Sequence, residues 1–239
     1  MSPGLAATVS INPGEHLTTK AFGLTLNVDT IYTTAIAGLI VLGMGFWLRS
    51  RVTSGVPGRI QLFWETVVGA VENQVETYIG PQGRDAVPLA VALFMFILFS
   101  DWLALIPTGT RPDHLPPPTS DVNLTYALAL IAMFFVIRAG VRARGVGGYL
   151  RHFAEPKWWL TPINVLEEVT KPFTLALRLF GNIFSGVLMV LLISLLAPWA
   201  LWPFEILWKT FDLFIGLIQA FIFALLTLLY YQFATAGGH

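Results

Sequence analysis

Long apolar runs, separated by short polar segments, dominate the chain. The runs at 31–48, 87–106 and 124–137 carry few charges, and a helix needs about 20 such residues to cross a bilayer. We predict one transmembrane span from each run, and residues 124–137 form the beginning of the third span. The runs at 163–196 and 204–231 are longer. At ~1.5 Å per residue, a helix over 163–196 would measure ~50 Å against a hydrocarbon core of ~30 Å, so it must tilt or bend.

Two other segments have patterns that do not fit a membrane span. Over 59–79, apolar residues recur at helical spacing on one side, while Glu65, Glu72 and Glu76 occupy the other side. This pattern predicts an amphipathic helix that lies on the membrane surface. Residues 1–30 precede the first apolar run and predict an extended segment outside the bilayer.

The last two apolar runs each carry a stripe of polar or small residues. In both stripes the residues recur in steps of three and four, which places them on one face of a helix. The first stripe consists of Glu167, Lys171, Thr174, Arg178, Asn182 and Ser185, and the second of Lys209, Asp212, Gly216, Gln219, Phe223 and Thr227. We expect the two helices to form a tilted hairpin whose stripes line a shared aqueous path.

Arg178 is the residue of these stripes that most requires an explanation. An arginine at the centre of a membrane helix costs about 2.5 to 3.5 kcal/mol on insertion scales, so it is a functional hypothesis by default. A structural arginine, paired with a nearby carboxylate or snorkelling to the interface, is the alternative. Arg178 lies far from either end of its apolar run, which disfavours snorkelling.

Composition supports an all-α integral membrane protein with about five membrane-embedded helices and one amphipathic surface helix. Of the 239 residues 55% are hydrophobic, and the mean hydropathy is +0.69. The net charge is zero and no cluster of Lys and Arg is interleaved with exposed aromatic residues, so nucleic acid is not an expected partner. The chain has no cysteine and its four histidines are scattered, so we expect no metal and no disulfide. It also lacks a phosphate-binding glycine loop, so we expect no nucleotide site or other cofactor.

The distribution of cations predicts the orientation in the membrane. Of the fourteen Lys and Arg residues, nine lie in the loops after the first and third spans, and only Lys20 and Arg111 lie in the N-terminal segment and the proline-rich loop that follows the second span. By the positive-inside rule the former loops are cytoplasmic. The N-terminus is then outside and, after five crossings, the C-terminus is cytoplasmic.

This topology separates the polar residues into groups. The outer group comprises Asp101, Asp121, Asn123 and Asp212, the cytoplasmic group comprises Glu167 and Glu168, and between them lie Arg178, Asn182 and Gln219. A permanent cation repels a cation that passes straight through. We therefore expect the proton to be carried past Arg178 on a carboxylate of another protein.

Several segments, in order along nearly the whole chain, resemble subunit a of the F-type ATP synthase, bacterial type. They are SGVPG (54–58), DVN (121–123), GVGG (145–148), PINVLEE (162–168), KPFTLALRLFGN (171–182) and IQAFIFALLT (218–227). The resemblance implies that Arg178 is the essential arginine of the family, with Asn182 and Gln219 as its polar companions. It also implies that Asp212 stands where many members have histidine, and Val187 where many have an acidic residue. The outer half of the path is then expected to be built around Asp212.

The resemblance further implies a non-catalytic, proton-translocating stator subunit with two offset half-channels separated by Arg178. Its implied partners are the c-subunit ring, the peripheral-stalk b subunits, the remainder of the synthase and the lipid bilayer, in a bacterial plasma membrane. Glu167 and Glu168 both remain candidates for the inner half-channel; Glu167 shares the stripe, as does Ser185. Whether protons or sodium ions are coupled depends mainly on the ring.

Two other function classes are alternatives. A stand-alone proton-coupled secondary transporter is usually built from internal repeats, and the two halves of this sequence show none. A purely structural membrane scaffold leaves the two aligned polar stripes unexplained.

Overall fold

The computed structural model describes residues 18–21, 24–51, 58–78, 80–103, 117–152, 158–196 and 201–235. Within these ranges the chain is almost entirely helical, so the predicted helical class is confirmed at this level. The helices are α1 (Val28–Arg51), α2 (Arg59–Tyr78), α3 (Val87–Trp102), α4 (Val122–His152), α5 (Thr161–Leu196) and α6 (Leu201–Thr235), with short 3-10 turns at Pro81–Ala86, Pro118–Ser120 and Trp158–Leu160. Outside the described residues lie most of the predicted N-terminal segment (1–17 and 22–23), most of the turn at 53–58, the end of the second predicted span (104–106), most of the proline-rich loop and the link between the last two helices (197–200).

Four of the described helices are long and apolar enough to cross a membrane. They span Val28–Ser50, Gly83–Trp102, Val122–Tyr149 and Ile206–Thr235. Large apolar side chains on their outer surfaces are widely exposed, for example Leu39 at 69%, Phe46 at 68% and Leu207 at 67%. Apolar exposure on this scale marks a surface that meets lipid or another protein. The chain is therefore a multi-pass membrane protein, and the fifth predicted crossing, which falls on α5, stays a prediction.

A short antiparallel hairpin precedes α1 and was not predicted from the sequence. It pairs β1 (Thr18–Ala21) with β2 (Leu24–Asn27), with Thr18 opposite Asn27 and Ala21 opposite Leu24. Because α1 begins directly after β2, the hairpin fixes the position at which the chain enters the first helix.

The core of the structure is centred on α3. Its side chains are apolar around most of its circumference, and Leu93, Met95, Ile97 and Leu98 are buried. The helix packs most extensively on α6 and also contacts α1 and α2. A helix that is apolar on every side is stable only when it is covered on every side or faces lipid, which explains the central position of α3.

One face of α2 packs on this core. Trp64, Val71 and Val75 are buried in the same apolar cluster as α3, whereas Glu72 and Glu76 are exposed. The amphipathic pattern therefore reflects packing against the helices of this chain as well as exposure to a polar environment.

A break at Gly145 divides α4 into a long and a short segment. Gly145 has φ 73° and ψ 162°, a conformation that side chains with a Cβ rarely adopt. After the break the chain turns back, so that the ring of Tyr149 packs on Gly140. A Cβ atom added to Gly140 would lie 2.7 Å from Tyr149 Cε2. The absence of a side chain at Gly140 is therefore needed for this contact.

Candidate functional site

Arg178 lies on the outer surface of α5. Its neighbours Leu175, Ala176 and Leu179 are buried against the rest of the chain, whereas its own side chain is exposed. Among the described residues no carboxylate forms an ion pair with its guanidinium. Because helical geometry turns Arg178 away from the buried face, this chain presents the guanidinium outward.

Asp212 of α6 lies against a glycine of α5. A Cβ atom added to Gly186 would lie 2.9 Å from Oδ1 and 3.1 Å from Oδ2 of Asp212. One turn away on α6, Trp208 donates a hydrogen bond from Nε1 to the backbone oxygen of Gly186 at 3.2 Å. Gly186 thus allows the carboxylate to lie within the contact between the two helices.

Asp101 of α3 is a second, buried carboxylate near Asp212. It is only 6% exposed; Oδ1 accepts a hydrogen bond from Thr119 Oγ1 at 2.6 Å, whereas Oδ2 is buried without a hydrogen-bond partner among the described residues. A Cβ atom added to Gly216 would lie 3.1 Å from Asp101 Cβ and 3.3 Å from Oδ2. Gly216, which lies against Asp101, follows Asp212 by four residues, about one turn of α6, so the two carboxylates occupy neighbouring positions on that helix. The structure therefore brings together two acids that are far apart in sequence.

Two amide side chains, one on α5 and one on α6, are the next polar groups along these helices. Gln219 is buried and Asn182 is half-buried, and neither Gln219 Nε2 nor Asn182 Nδ2 has a hydrogen-bond partner among the described residues. Buried polar groups in native proteins are nearly always paired with protein or ordered water. Such unpaired donors are therefore suited to a hydrated path.

Asp121 forms the most complete hydrogen-bond network at the site. It is buried, and its Oδ2 accepts from Asn27 Nδ2 at 2.7 Å and from Thr30 Oγ1 at 2.8 Å. Its Oδ1 accepts from the backbone nitrogen of Asn123 at 2.8 Å and from Asn123 Nδ2 at 3.0 Å. Asp121 thus joins β2, α1 and the start of α4, where a carboxylate also satisfies free backbone donors of the helix.

The two glutamates predicted for the cytoplasmic end differ in their surroundings. Glu167 is exposed, whereas Glu168 is half-buried and forms an ion pair with Lys171 at 2.6 Å. The hydroxyl of Tyr149 donates to the other oxygen of Glu168 at 3.3 Å. Ser185 is exposed, and its hydroxyl donates to the backbone oxygen of Asn182 at 2.8 Å.

Three residues that the structure places at the site were not predicted from the sequence. Thr119 lies in the proline-rich loop, Tyr149 in a basic segment, and Gly186 within an apolar run. The GVGG motif at 145–148 was a signal for Tyr149, because a cluster of glycines within a helix indicates a break. No pattern of charge or periodicity marked the other two. Among the described residues, no group of three or more His, Asp or Glu is arranged to hold a metal ion.

Comparison with known proteins agrees with these features. The family described as ATP synthase A chain matches residues 31–232. The ATP synthase subunit a of Acidothermus cellulolyticus is 51% identical over 233 residues, which cover 97% of this chain and 86% of that protein. The proteins of the same name from Mycobacterium tuberculosis and Mycobacterium leprae are 46% and 44% identical, over 95% and 93% of this chain and 94% and 92% of their own lengths. The chain therefore belongs to the ATP synthase A chain family, as a membrane subunit of a larger complex.

Proposed function

We propose that this chain is the proton-translocating stator subunit of an F-type ATP synthase, with two offset half-paths that lead to carboxylates on a ring of c subunits. Arg178 separates the half-paths. Family membership supports the role as a subunit, and the outward position of Arg178 is the observation that carries the proposal.

An uncompensated charge within a membrane is costly, so the guanidinium of Arg178 requires a partner. A guanidinium on a membrane helix is stable only when it meets water, an anion or another protein. The described part of this chain provides no carboxylate partner. A carboxylate on a neighbouring subunit would compensate the charge, and an opposite charge within ~4 to 6 Å favours the ionised carboxylate by roughly 10- to 1,000-fold.

The outer half-path is assigned to Asp101, Thr119 and Asp212, with Asp121 and Asn123 at its outer end. Thr119 joins the two parts, because it bonds to Asp101 and lies two residues before Asp121. A hydroxyl both donates and accepts hydrogen bonds. Thr119 is therefore able to pass a proton to Asp101, from which it continues towards Asp212.

From Asp212 the polar residues continue towards Arg178. Gln219 follows Asp212 on α6, and Asn182 lies one helical turn beyond Arg178 on α5. The unpaired amide groups of both residues would bind water along the path. In this proposal Arg178 blocks direct transfer between the half-paths, since its charge is permanent.

The inner half-path is assigned to the Glu167 and Glu168 pair. Ser185, on the same stripe as Glu167, lies beyond Arg178 and next to Gly186, on the side of the outer half-path. Glu168 precedes Arg178 by ten residues, roughly 15 Å along a helix at ~1.5 Å per residue. This separation is about half of the ~30 Å hydrocarbon core. It agrees with one end of the path near the cytoplasm and with Arg178 near the middle of the bilayer.

The same proposal includes the location and the remaining partners. We propose a bacterial plasma membrane as its location, as the family resemblance implies. The distribution of Lys and Arg supports an orientation with the N-terminus outside and the C-terminus cytoplasmic. The peripheral-stalk b subunits and the remainder of the synthase complete the assembly. The whole-function test compares vesicles that contain or lack this chain. Without it, ATP hydrolysis should continue, whereas ATP-driven proton pumping should be lost and should return when the chain is restored.

We expect Asp212→Asn to slow proton-driven ATP synthesis while the complex still assembles. Asparagine keeps the shape that fits against Gly186 but does not carry a proton as a carboxylate does. The expected loss is about tenfold, less than the ~100-fold contribution of proton-transferring groups in enzymes, because Asp101 and water retain part of the path. Asp85→Asn, the same change at an exposed position, is the matched control. Equal synthesis rates in the two variants would rule out the role of Asp212.

A further inference from the structure

The GVGG segment has no role in the half-paths described above, yet it determines where Tyr149 lies. The break at Gly145 turns the end of α4 back, so that the ring of Tyr149 packs on Gly140, which itself lies close to Ala234 of α6. From this position its hydroxyl reaches Glu168 of α5. Tyr149 therefore connects three helices at a single carboxylate.

The surroundings of Glu168 are those of an oriented group. Lys171 holds one carboxylate oxygen at 2.6 Å, and the ammonium of Lys171 lies 5.4 Å from the centre of the Tyr230 ring on α6. The bond from Tyr149 to the other oxygen is longer, at 3.3 Å, so it is the weaker contact. The ion pair thus holds the carboxylate, and the tyrosine determines the direction in which its second oxygen points.

Glu167 lacks this environment. Its side chain is exposed on the face that carries Arg178, and Thr170 bonds to its backbone oxygen rather than to its carboxylate. A helix turns by about 100° per residue, so the adjacent glutamates point in different directions. Only the second of them faces α4 and α6.

We propose that Tyr149 is a positioning residue for proton release, which holds Glu168 so that this carboxylate, and not Glu167, passes protons to the cytoplasm. In this step a proton that leaves a ring carboxylate crosses the inner half-path and binds to Glu168, and the resulting carboxylic acid then gives it to cytoplasmic water. The inference rests on the proposed function, since it requires an inner half-path that begins near Arg178.

The charged and titratable groups around Glu168 come from all three helices. Arg144 of α4 interacts electrostatically with Tyr149 and donates to the backbone oxygen of Phe233 on α6 at 3.0 Å. Lys171 of α5 is the nearest cation to Glu168, and Tyr230 is the titratable group of α6 next to it. Removal of the Tyr149 hydroxyl leaves these charges in place, so its effect reports on the orientation of Glu168.

The test measures proton-driven ATP synthesis in vesicles that contain the whole complex with Tyr149→Phe, and passive proton flux in the same vesicles after the ATP-hydrolysing part has been removed. The ring contact with Gly140 is kept, so assembly should be unchanged. Both rates should fall roughly threefold, the change expected from the loss of an average hydrogen bond between membrane helices. The loss should depend on the pH of the cytoplasmic side and not on that of the opposite side. Tyr230→Phe, which removes a hydroxyl but keeps the ring next to Lys171, should behave as the unmodified chain.

A second pair of variants distinguishes positioning from packing. Glu168→Gln should lower the rates more than Glu167→Gln, and Tyr149→Phe should have no additional effect in the Glu168→Gln background. Unchanged rates in Tyr149→Phe, an equal threefold loss in both backgrounds, or a larger loss from Glu167→Gln would each overturn the inference. Arg178→Ala is measured in parallel. If it abolishes synthesis while Tyr149→Phe has no effect, the inference fails and the proposed function stands; if it retains synthesis, the proposed function itself fails.

Discussion

Arg178→Ala is expected to abolish both ATP synthesis and ATP-driven proton pumping while leaving the complex assembled. Assembly should persist because the side chain is exposed in this chain and its neighbours Leu175 and Leu179 supply the packing. Synthesis should fall by about 100-fold, the middle of the roughly 10- to 1,000-fold range by which an opposite charge within ~4 to 6 Å changes the ionised fraction of a carboxylate. Without that charge the ionised form of a ring carboxylate is no longer stabilised at this point, so the carboxylate retains its proton.

The same variant should also make the membrane leak protons. Vesicles from which the ATP-hydrolysing part has been removed should conduct protons when a potential is imposed, since 100 mV is worth ~2.3 kcal/mol per charge. Arg178→Lys should also fail to synthesise ATP but should leak less, because an ammonium keeps a charge yet loses its proton more readily when desolvated. Proton flux is read with a pH-sensitive dye. An Arg178→Ala membrane as tight as one without the ring would remove the barrier role, and retained synthesis would remove both roles.

The polar faces of α5 and α6 differ in exposure, and this difference is why the proposed function requires a second subunit. Both stripes were expected to line one shared path. In the structure, Gly216 and Gln219 of α6 are buried within the chain, whereas Arg178 and Ser185 of α5 are exposed. The α6 stripe is covered because Gly216 packs on Asp101 of α3. Asp101 and Asp212 therefore lie between helices of this chain, whereas Arg178 lies on its surface. In the proposed function, a carboxylate of another subunit meets Arg178 there.

The helices were predictable because hydropathy and periodicity depend on local sequence. The apolar residues all around α3, and the apolar and charged faces of α2, can be read from the sequence without knowledge of any tertiary contact. Arg178 was identified for the same reason, since a charge within an apolar run is conspicuous in one dimension. These features require only the spacing of residues along a single helix.

The contacts between helices were not predictable in this way. Thr119 matters because the short turn before α4 brings it to Asp101, and Gly186 matters because Asp212 lies against it. A threonine in a loop and a glycine in an apolar run are common, and their meaning depends on which residue lies opposite. The hairpin at Thr18–Asn27 was missed because its short strands gain stability through pairing with each other.

Gly216→Val is expected to destabilise the complex and to lower proton flux. A Cβ at this position would lie 3.1 Å from Asp101 Cβ and 3.3 Å from its Oδ2, and valine adds two further methyl groups. Overpacking of this kind costs about 1 to 3 kcal/mol. Here α3 and α6, the most extensively packed pair of helices among the described residues, would have to move apart. The measurement is the thermal stability of the purified complex, with synthesis rates recorded on the same samples.

Removal of the opposing side chain separates packing from proton transfer. In the Gly216→Val and Asp101→Ala double variant, alanine removes the carboxylate at 3.3 Å but keeps the Cβ at 3.1 Å, so the stability of the complex should recover only in part, by roughly half of the ~1 to 3 kcal/mol lost. Synthesis should not recover, since the buried carboxylate of the outer half-path is absent. Gly43→Val on α1 is the control, because a Cβ at Gly43 meets no atom within 4 Å in this chain and Gly43 does not lie on the helix that carries Arg178. Recovery of both stability and synthesis in the double variant would show that Asp101 acts only through packing, and the outer half-path would then have to run through Asp212 alone.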